Sequence, residues 1–307
     1  MRYLIFTISV LLISGLSSCQ KESLKNKAIA DRVILIGFDG LSPHGLQNAS
    51  TPNLDALIEV GASSMKARGV MPTSSGANWG SMLLGAGPEQ HGITTNGWRV
   101  DEYEFEATHR DEDGFFPSMF DAVRQKYPKS KIGVFHEWGT INRLFNPKAV
   151  DTMIQTKKVE ESLPKALDFI KASSPKLVFV HLDAIDHAGH TYGHGTPEYF
   201  AEIAHIDSAV GTFITELKEA GLYESSHIVL SSDHGGKGKG HGGNSLEELL
   251  IPWIILGPGI KENTTLATNI NTYDTPATIV RILGADIPDA WIGKPVVEAF
   301  ASKKTKS

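Results

Sequence analysis

Aspartate and histidine gather where apolar runs end. Asp39 closes RVILIGF (32–38). Asp183, Asp186, His187 and His190 follow KLVFVHL, and Asp233 and His234 follow HIVLSS. His241 lies in the glycine-rich stretch Gly235–Gly243. Eight of the 12 histidines fall between His181 and His241, so this residue type is concentrated rather than scattered. Carboxylates drawn into one cleft repel each other and are costly to bury, and divalent cations remove both penalties. Asp combined with neutral His suits zinc, and also manganese or iron. A single Asp-Gly after a strand is an ordinary turn. Acids and imidazoles at several strand ends together predict a metal site. His181, inside a strand, is expected in the core or behind the ligands, and His187 and His194 outside the ligand set.

Residues 71–96, MPTSSGANWGSMLLGAGPEQHGITTN, offer a nucleophile beside this cluster. Small and hydroxyl residues precede a helix expected from about Asn78. A serine at a helix N-terminus meets free N–H groups and the positive end of the dipole, which favours a phosphate.

These residues need a frame that brings them together. Apolar β-rich runs at 32–38, 63–70, 131–135, 176–182, 227–231 and 251–256 predict strands. Between them, helical patterns fall at 52–61, 78–84, 118–127, 159–172, 197–220 and 274–283. The alternation predicts an α/β fold with a mostly parallel, doubly wound sheet covered by helices on both faces. In such sheets ligands lie beyond the carboxyl ends of the strands, where the Asp and His residues fall. One catalytic domain over 32–307 is expected, with the acidic stretch 100–114 as a surface excursion.

The chain has 307 residues, 41% of them apolar, which fits a folded protein. Its 29 Lys+Arg against 35 Asp+Glu give −6, so no broad basic surface for nucleic acid is expected. Residues 1–18 read as a secretory leader, with Arg2 before an apolar run too short to span a bilayer comfortably. Leu16-Ser17-Ser18-Cys19 resembles a bacterial lipobox. Cys19, the only cysteine, is then the lipidated N-terminus, and 19–31 a polar tether. The expectation is an exported enzyme of the cell envelope, periplasmic or on the cell surface, held to the membrane by a lipid.

Pro72-Thr73-Ser74-Ser75-Gly76-Ala77-Asn78, followed by Pro88-Glu89-Gln90-His91-Gly92-Ile93, resembles the alkaline phosphatase superfamily, in particular its type I phosphodiesterase/nucleotide pyrophosphatase branch. The resemblance covers residues 32–283 and implies an alkaline-phosphatase-like fold. It implies Ser75 as nucleophile, in a slot often held by Thr. Asp39, Ser75, Asp233 and His234 resemble the ligands of one metal, and Asp186, His190 and His241 those of a second. Asn96 resembles the amide donor to a phosphoryl oxygen, and Asn78 an organiser of the turn. The implied activity is phosphodiester hydrolysis through a phosphoseryl intermediate with two divalent ions, zinc first. Phosphomonoester hydrolysis, transfer to an envelope hydroxyl and non-catalytic metal-dependent binding are the alternatives. Relatives commonly place an aromatic residue directly after the nucleophile to stack on a base. Here Gly76 and Ala77 follow, which argues against a nucleotide. Arg99 reads better as a surface charge than as an anion ligand.

Other chemistries fail on their motifs. Ser75-Gly76-Ala77-Asn78-Trp79 lacks the Pro and Arg that formylglycine formation in sulfatases requires. No serine sits in Gly-x-Ser-x-Gly. The run Gly235–His241 lacks a Gly-Lys-Ser/Thr ending, and His190-Thr191-Tyr192-Gly193-His194 lacks the zincin glutamate.

Overall fold

The computed structural model describes residues 28–302. The leader, Cys19 and most of the tether lie outside them. Eight strands form one mixed sheet: β1 Arg32–Phe38, β2 Ala62–Arg68, β3 Ile132–His136, β4 Thr152–Gln155, β5 Leu177–Leu182, β6 Ser226–Ser232, β7 Leu250–Leu256 and β8 Thr264–Thr265. Their order is β4-β3-β5-β1-β6-β7-β2-β8. Only β7 runs antiparallel to its neighbours β6 and β2. The expected architecture holds, with two short strands, β4 and β8, added.

The sheet is buried on both faces, as β1 shows. Val33 and Leu35 join one apolar cluster with Trp79, Phe120 and Trp253. Ile34, Ile36 and Phe38 join the other with Tyr199, Ile206 and Phe213. Period-two alternation thus sends successive side chains into opposite cores. The helices Ser75–Leu84, Met119–Lys126 and Asp274–Ile282 contribute to the first core. Val159–Ser173 and Pro197–Glu219 contribute to the second. Each large side chain buried in this way stabilises the fold by roughly 1.5–3 kcal/mol before entropy is subtracted.

The register places the chemistry. In the neighbouring parallel strands β5, β1 and β6, Phe38 pairs with both Leu182 and Ser232. Asp39, Asp183 and Asp233 are the next residues along, so three carboxylates leave one edge of the sheet at the same level. Strands lie about 4.8 Å apart, close enough for these acids to share a cleft.

One local expectation is corrected, and one helix is added. The helix expected from about Asn78 begins at Ser75, with Ser74 extended before it (φ −95°, ψ 147°). The small residues Ser75, Gly76 and Ala77 are therefore its first turn rather than its approach. Asp186 and His190, expected only to follow a strand, lie on a further helix, Ala184–Tyr192. Its roughly two and a half turns mix small, apolar and polar residues and give no clear periodic signal.

Candidate active site

Ser75 is fixed by its neighbours. Asn78 Oδ1 accepts from the Val70 N–H (2.6 Å), and its Nδ2 donates to the carbonyls of Pro72 (3.2 Å) and Ser74 (3.0 Å). One buried amide thus pins the turn into the helix, as expected of Asn78. The Gly76 N–H donates to Asn96 Oδ1 at 2.7 Å. That bond orients Asn96 and leaves its amide N–H groups to the cleft it lines. A Cβ on Gly76 would fall 2.6 Å from the Thr95 carbonyl. Position 76 must be glycine for helix and loop to meet, which is why no aromatic residue follows Ser75. His91 is structural: Ile93 N–H donates to its Nδ1 (3.0 Å) and Ser81 Oγ lies 3.0 Å from its Nε2. Burial lowers its pKa to about 3, so it stays neutral.

Three imidazoles point the same nitrogen at the cleft. His234 Nδ1–H donates to the Gly235 carbonyl (2.7 Å), His190 Nδ1–H to Lys239 (2.9 Å) and His241 Nδ1–H to Thr73 (2.9 Å). Each bond fixes the tautomer and leaves an Nε2 lone pair. The Nε2 atoms of His190 and His241 are 3.1 Å apart, and Ser75 Oγ is 3.2 Å from that of His234. Two lone pairs at that separation repel unless a cation lies between them.

The carboxylates carry the same message. Asp39 Oδ2 accepts from Trp79 Nε1 (2.8 Å) and His181 Nε2 (3.1 Å), while Asp39 Oδ1 has no hydrogen-bond partner. Asp233 Oδ2 and Asp186 Oδ1 are also buried and without one. Desolvation raises the pKa of all three, followed by a neighbouring acid: Asp233 for Asp39, Asp186 for Asp233, Asp39 for Asp186. His234 Nε2 is 3.4 Å from Asp39 Oδ1 and 3.2 Å from Asp233 Oδ2. His190 Nε2 is 3.2 Å from Asp186 Oδ2, and His241 Nε2 3.7 Å from Asp186 Oδ1. Asp39–Asp233–His234 and Asp186–His190–His241 are two groups that could each hold an ion. Bare carboxylate oxygens facing bare imidazole nitrogens are the donor set a divalent cation satisfies. The rings of His234 and His241 stack at 3.7 Å and join the two groups.

All seven residues expected to ligate converge here, with Asn96 at the rim. Five of them, Asp39, Ser75, Asp186, His190 and His241, line a cleft of about 250 Å³ with Asn96, Trp138, Asp183 and His187, while Asp233 and His234 are fully buried behind it. A third group, Asp39–His181–Asp183, also has ligand spacing. There His181 Nε2, inside β5, is already hydrogen-bonded to Asp39 Oδ2. Arg99 is exposed and 4.0 Å from Glu102, a surface charge.

Sequence reasoning missed three supports. Trp79 orients Asp39, and its position four residues after Ser75 on one helix face was the available signal. Thr73 accepts the Gly242 N–H (3.0 Å) and donates to the Gly243 carbonyl (2.9 Å), clasping the His241 loop to the serine loop. Trp138 enters from the end of β3, directly after His136 and Glu137.

Comparison with known proteins gives the family and the fold. The sequence model of the type I phosphodiesterase / nucleotide pyrophosphatase family matches residues 33–241. Bis(5'-adenosyl)-triphosphatase ENPP4 of Bos taurus is 28% identical over 236 residues, 74% of this chain and 52% of the bovine protein. The human ectonucleotide pyrophosphatase/phosphodiesterase family member 1 is 27% identical over 214 residues, covering 66% of this chain and 23% of its own length. The chain thus spans about half, or less, of these relatives. The structure of human ectonucleotide pyrophosphatase / phosphodiesterase 5 superposes with a TM-score of 0.75 at 15% identity, covering 88% of this chain and all of that one. The fold is therefore the one shared with that protein.

Proposed function

This chain belongs to the type I phosphodiesterase/nucleotide pyrophosphatase family, and we propose that it hydrolyses phosphodiesters through a phosphoseryl intermediate at a site for two divalent cations. The observation that carries this reading is the set of partnerless carboxylate oxygens and imidazole nitrogens around Ser75 Oγ. Asp39, Ser75, Asp233 and His234 would hold one ion, and Asp186, His190 and His241 the other, with zinc favoured by the three imidazoles. Such ions supply charge neutralisation for the phosphoryl oxygens and for the serine and leaving oxygens.

The chain's own groups do the rest. Ser75 Oγ, held at the first turn of its helix, forms the bond to phosphorus as the bond to the leaving alkoxide breaks. Asn96, its carbonyl occupied by Gly76, donates N–H to a non-bridging oxygen, and the helix N-terminus adds its dipole. Water then displaces Ser75 from phosphorus and releases the product. Trp138 gives the cleft an aromatic face from a different element than the nucleophile loop. A planar or apolar substituent therefore has somewhere to lie despite Gly76.

The test is the turnover of bis(p-nitrophenyl) phosphate beside p-nitrophenyl phosphate after chelation and return of zinc or manganese. The diester should be preferred and activity should depend on the returned metal. A strong monoester preference would replace the first reading by a phosphomonoesterase. Ser75→Ala should lose turnover and keep both ions; normal turnover in that variant would sink the intermediate. Products formed with added alcohols would separate a transferase from a hydrolase. Envelope location and lipidation at Cys19 belong to the same proposal: labelled palmitate should enter the wild type and not Cys19→Ala, which should leave the membrane fraction.

A further inference from the structure

Beside the second group of ligands, two buried polar groups face each other with no partner. Asp186 Oδ1 and both ring nitrogens of His194 lack hydrogen bonds. His194 Nε2 is 3.9 Å from that oxygen, and the His194 side chain is 3% exposed. Orphaned groups of this kind are rare in native proteins and each calls for a reason. The ring occupies a built slot. A Cβ on Gly189 would fall 2.4 Å from His194 Nε2, and one on Gly236 2.2 Å from it. Only glycine at both positions admits the imidazole. An imidazole nitrogen in this position can carry the N–H that Asp186 Oδ1 lacks.

We propose that His194 is a positioning residue for the metal cage: its Nε2–H donates to Asp186 Oδ1 and so turns Asp186 Oδ2 toward the ion shared with His190 and His241. The inference rests on the two-ion reading above. Asp186 Oδ2 lies 3.2 Å from His190 Nε2, and Oδ1 stands between His241 Nε2 at 3.7 Å and His194 Nε2 at 3.9 Å, so Oδ1 is the oxygen an outer donor can reach. Ligating carboxylates are held by outer donors of this kind, and losing one typically weakens metal binding about 10–100-fold. A movement of about 1 Å brings 3.9 Å to hydrogen-bond length. The adjoining cavity of about 420 Å³, lined by His194 with His44, Lys237 and Leu246, leaves room for it.

Zinc titration against a chromophoric chelator tests this without turnover. The wild type should take two ions. His194→Met, similar in bulk but without the donor, should bind one of them about 10–100-fold more weakly and the other unchanged. His194→Gln, whose amide nitrogen can reach the place of Nε2, should restore most of that loss. If His194→Met does not fold, Gly236→Ala crowds the same ring from outside and should weaken the same ion. Cobalt substitution should give the same absorption intensity in wild type and His194→Gln, because an outer donor leaves the ligand count alone. Undiminished binding of both ions in His194→Met, or in Gly236→Ala where that variant stands in, would overturn the role. So would an altered cobalt spectrum in His194→Gln, which would make His194 a ligand. A wild type that takes no pair of ions would instead sink the two-ion reading itself.

Discussion

The two halves of the candidate cage are built from different material. Asp39, Asp233 and His234 leave the ends of adjacent parallel strands and are at most 1% exposed. Asp186 and His190 sit on the helix Ala184–Tyr192 and His241 in a glycine-rich loop, and the His190 side chain is 47% exposed. The first half is a product of sheet register, and nothing short of moving a strand displaces it. The second half depends on a short helix and a loop clasped by Thr73, so its geometry is held by a few hydrogen bonds. One half should keep its ion tightly, and the other should exchange it and answer to metal concentration.

Breaking the strand-borne half should have the largest effect. Asp233→Asn removes a charge from a site with no water to replace it, and turnover of bis(p-nitrophenyl) phosphate should fall by on the order of a thousandfold or more. Excess zinc should not rescue it. His190→Ala acts on the exposed half, where water can take the vacated position. Its activity should fall roughly 10–100-fold and recover in part as zinc is raised. Equal losses with equal rescue in both variants would erase the distinction between the halves.

The same division explains what was legible in the chain. RVILIGF, KLVFVHL and HIVLS announce buried strands, and a polar residue ending such a run is conspicuous, so Asp39, Asp183 and Asp233 stood out at once. Ser75 and the pairing of Asp186 with His190 came through motif resemblance rather than through periodicity. The helix start at Ser75 was misplaced because Ser74, Ser75 and Gly76 are poor helix formers, and Asn78's hydrogen bonds override that preference. Thr73 and Trp138 act across long stretches of sequence, on the His241 loop and the β5 end respectively. Contacts of that range leave no local pattern. His194 looked like one more histidine in a rich region; its slot between Gly189 and Gly236 exists only in three dimensions.

A finer test of the loop-borne half is Thr73→Val. It keeps the carbonyl that His241 uses but removes the hydroxyl that binds both Gly242 and Gly243. About 1–2 kcal/mol of stability should go, read by urea unfolding. The more weakly held ion should dissociate several-fold more readily, while the other is unaffected. A Thr73→Val protein as stable as wild type, with both ions held as before, would show that the clasp is not what orders this half.

An effect absent at pH 7.5 and seen only in acid separates metal-site histidines from one that is merely buried. His227 is the second residue of the strand that ends beside Asp233 and His234, and is fully buried. Burial pushes its pKa down to about 4 from an ordinary 6.5. Between those values the unfolded chain binds a proton that the folded one refuses. Stability from this residue is therefore intact above pH 6.5 and is lost as pH falls toward 4, by about 2 kcal/mol at pH 5. His227→Leu removes the titrating group and retains the apolar packing. Urea unfolding of the metal-loaded proteins should give similar stability at pH 7.5, with the variant losing about 2 kcal/mol less than wild type on going to pH 5. Ligand protonation is common to both proteins and cancels in the difference. Identical acid losses would mean that His227 takes up its proton in the folded state, and that β6 is not sealed from water at the end opposite the cage.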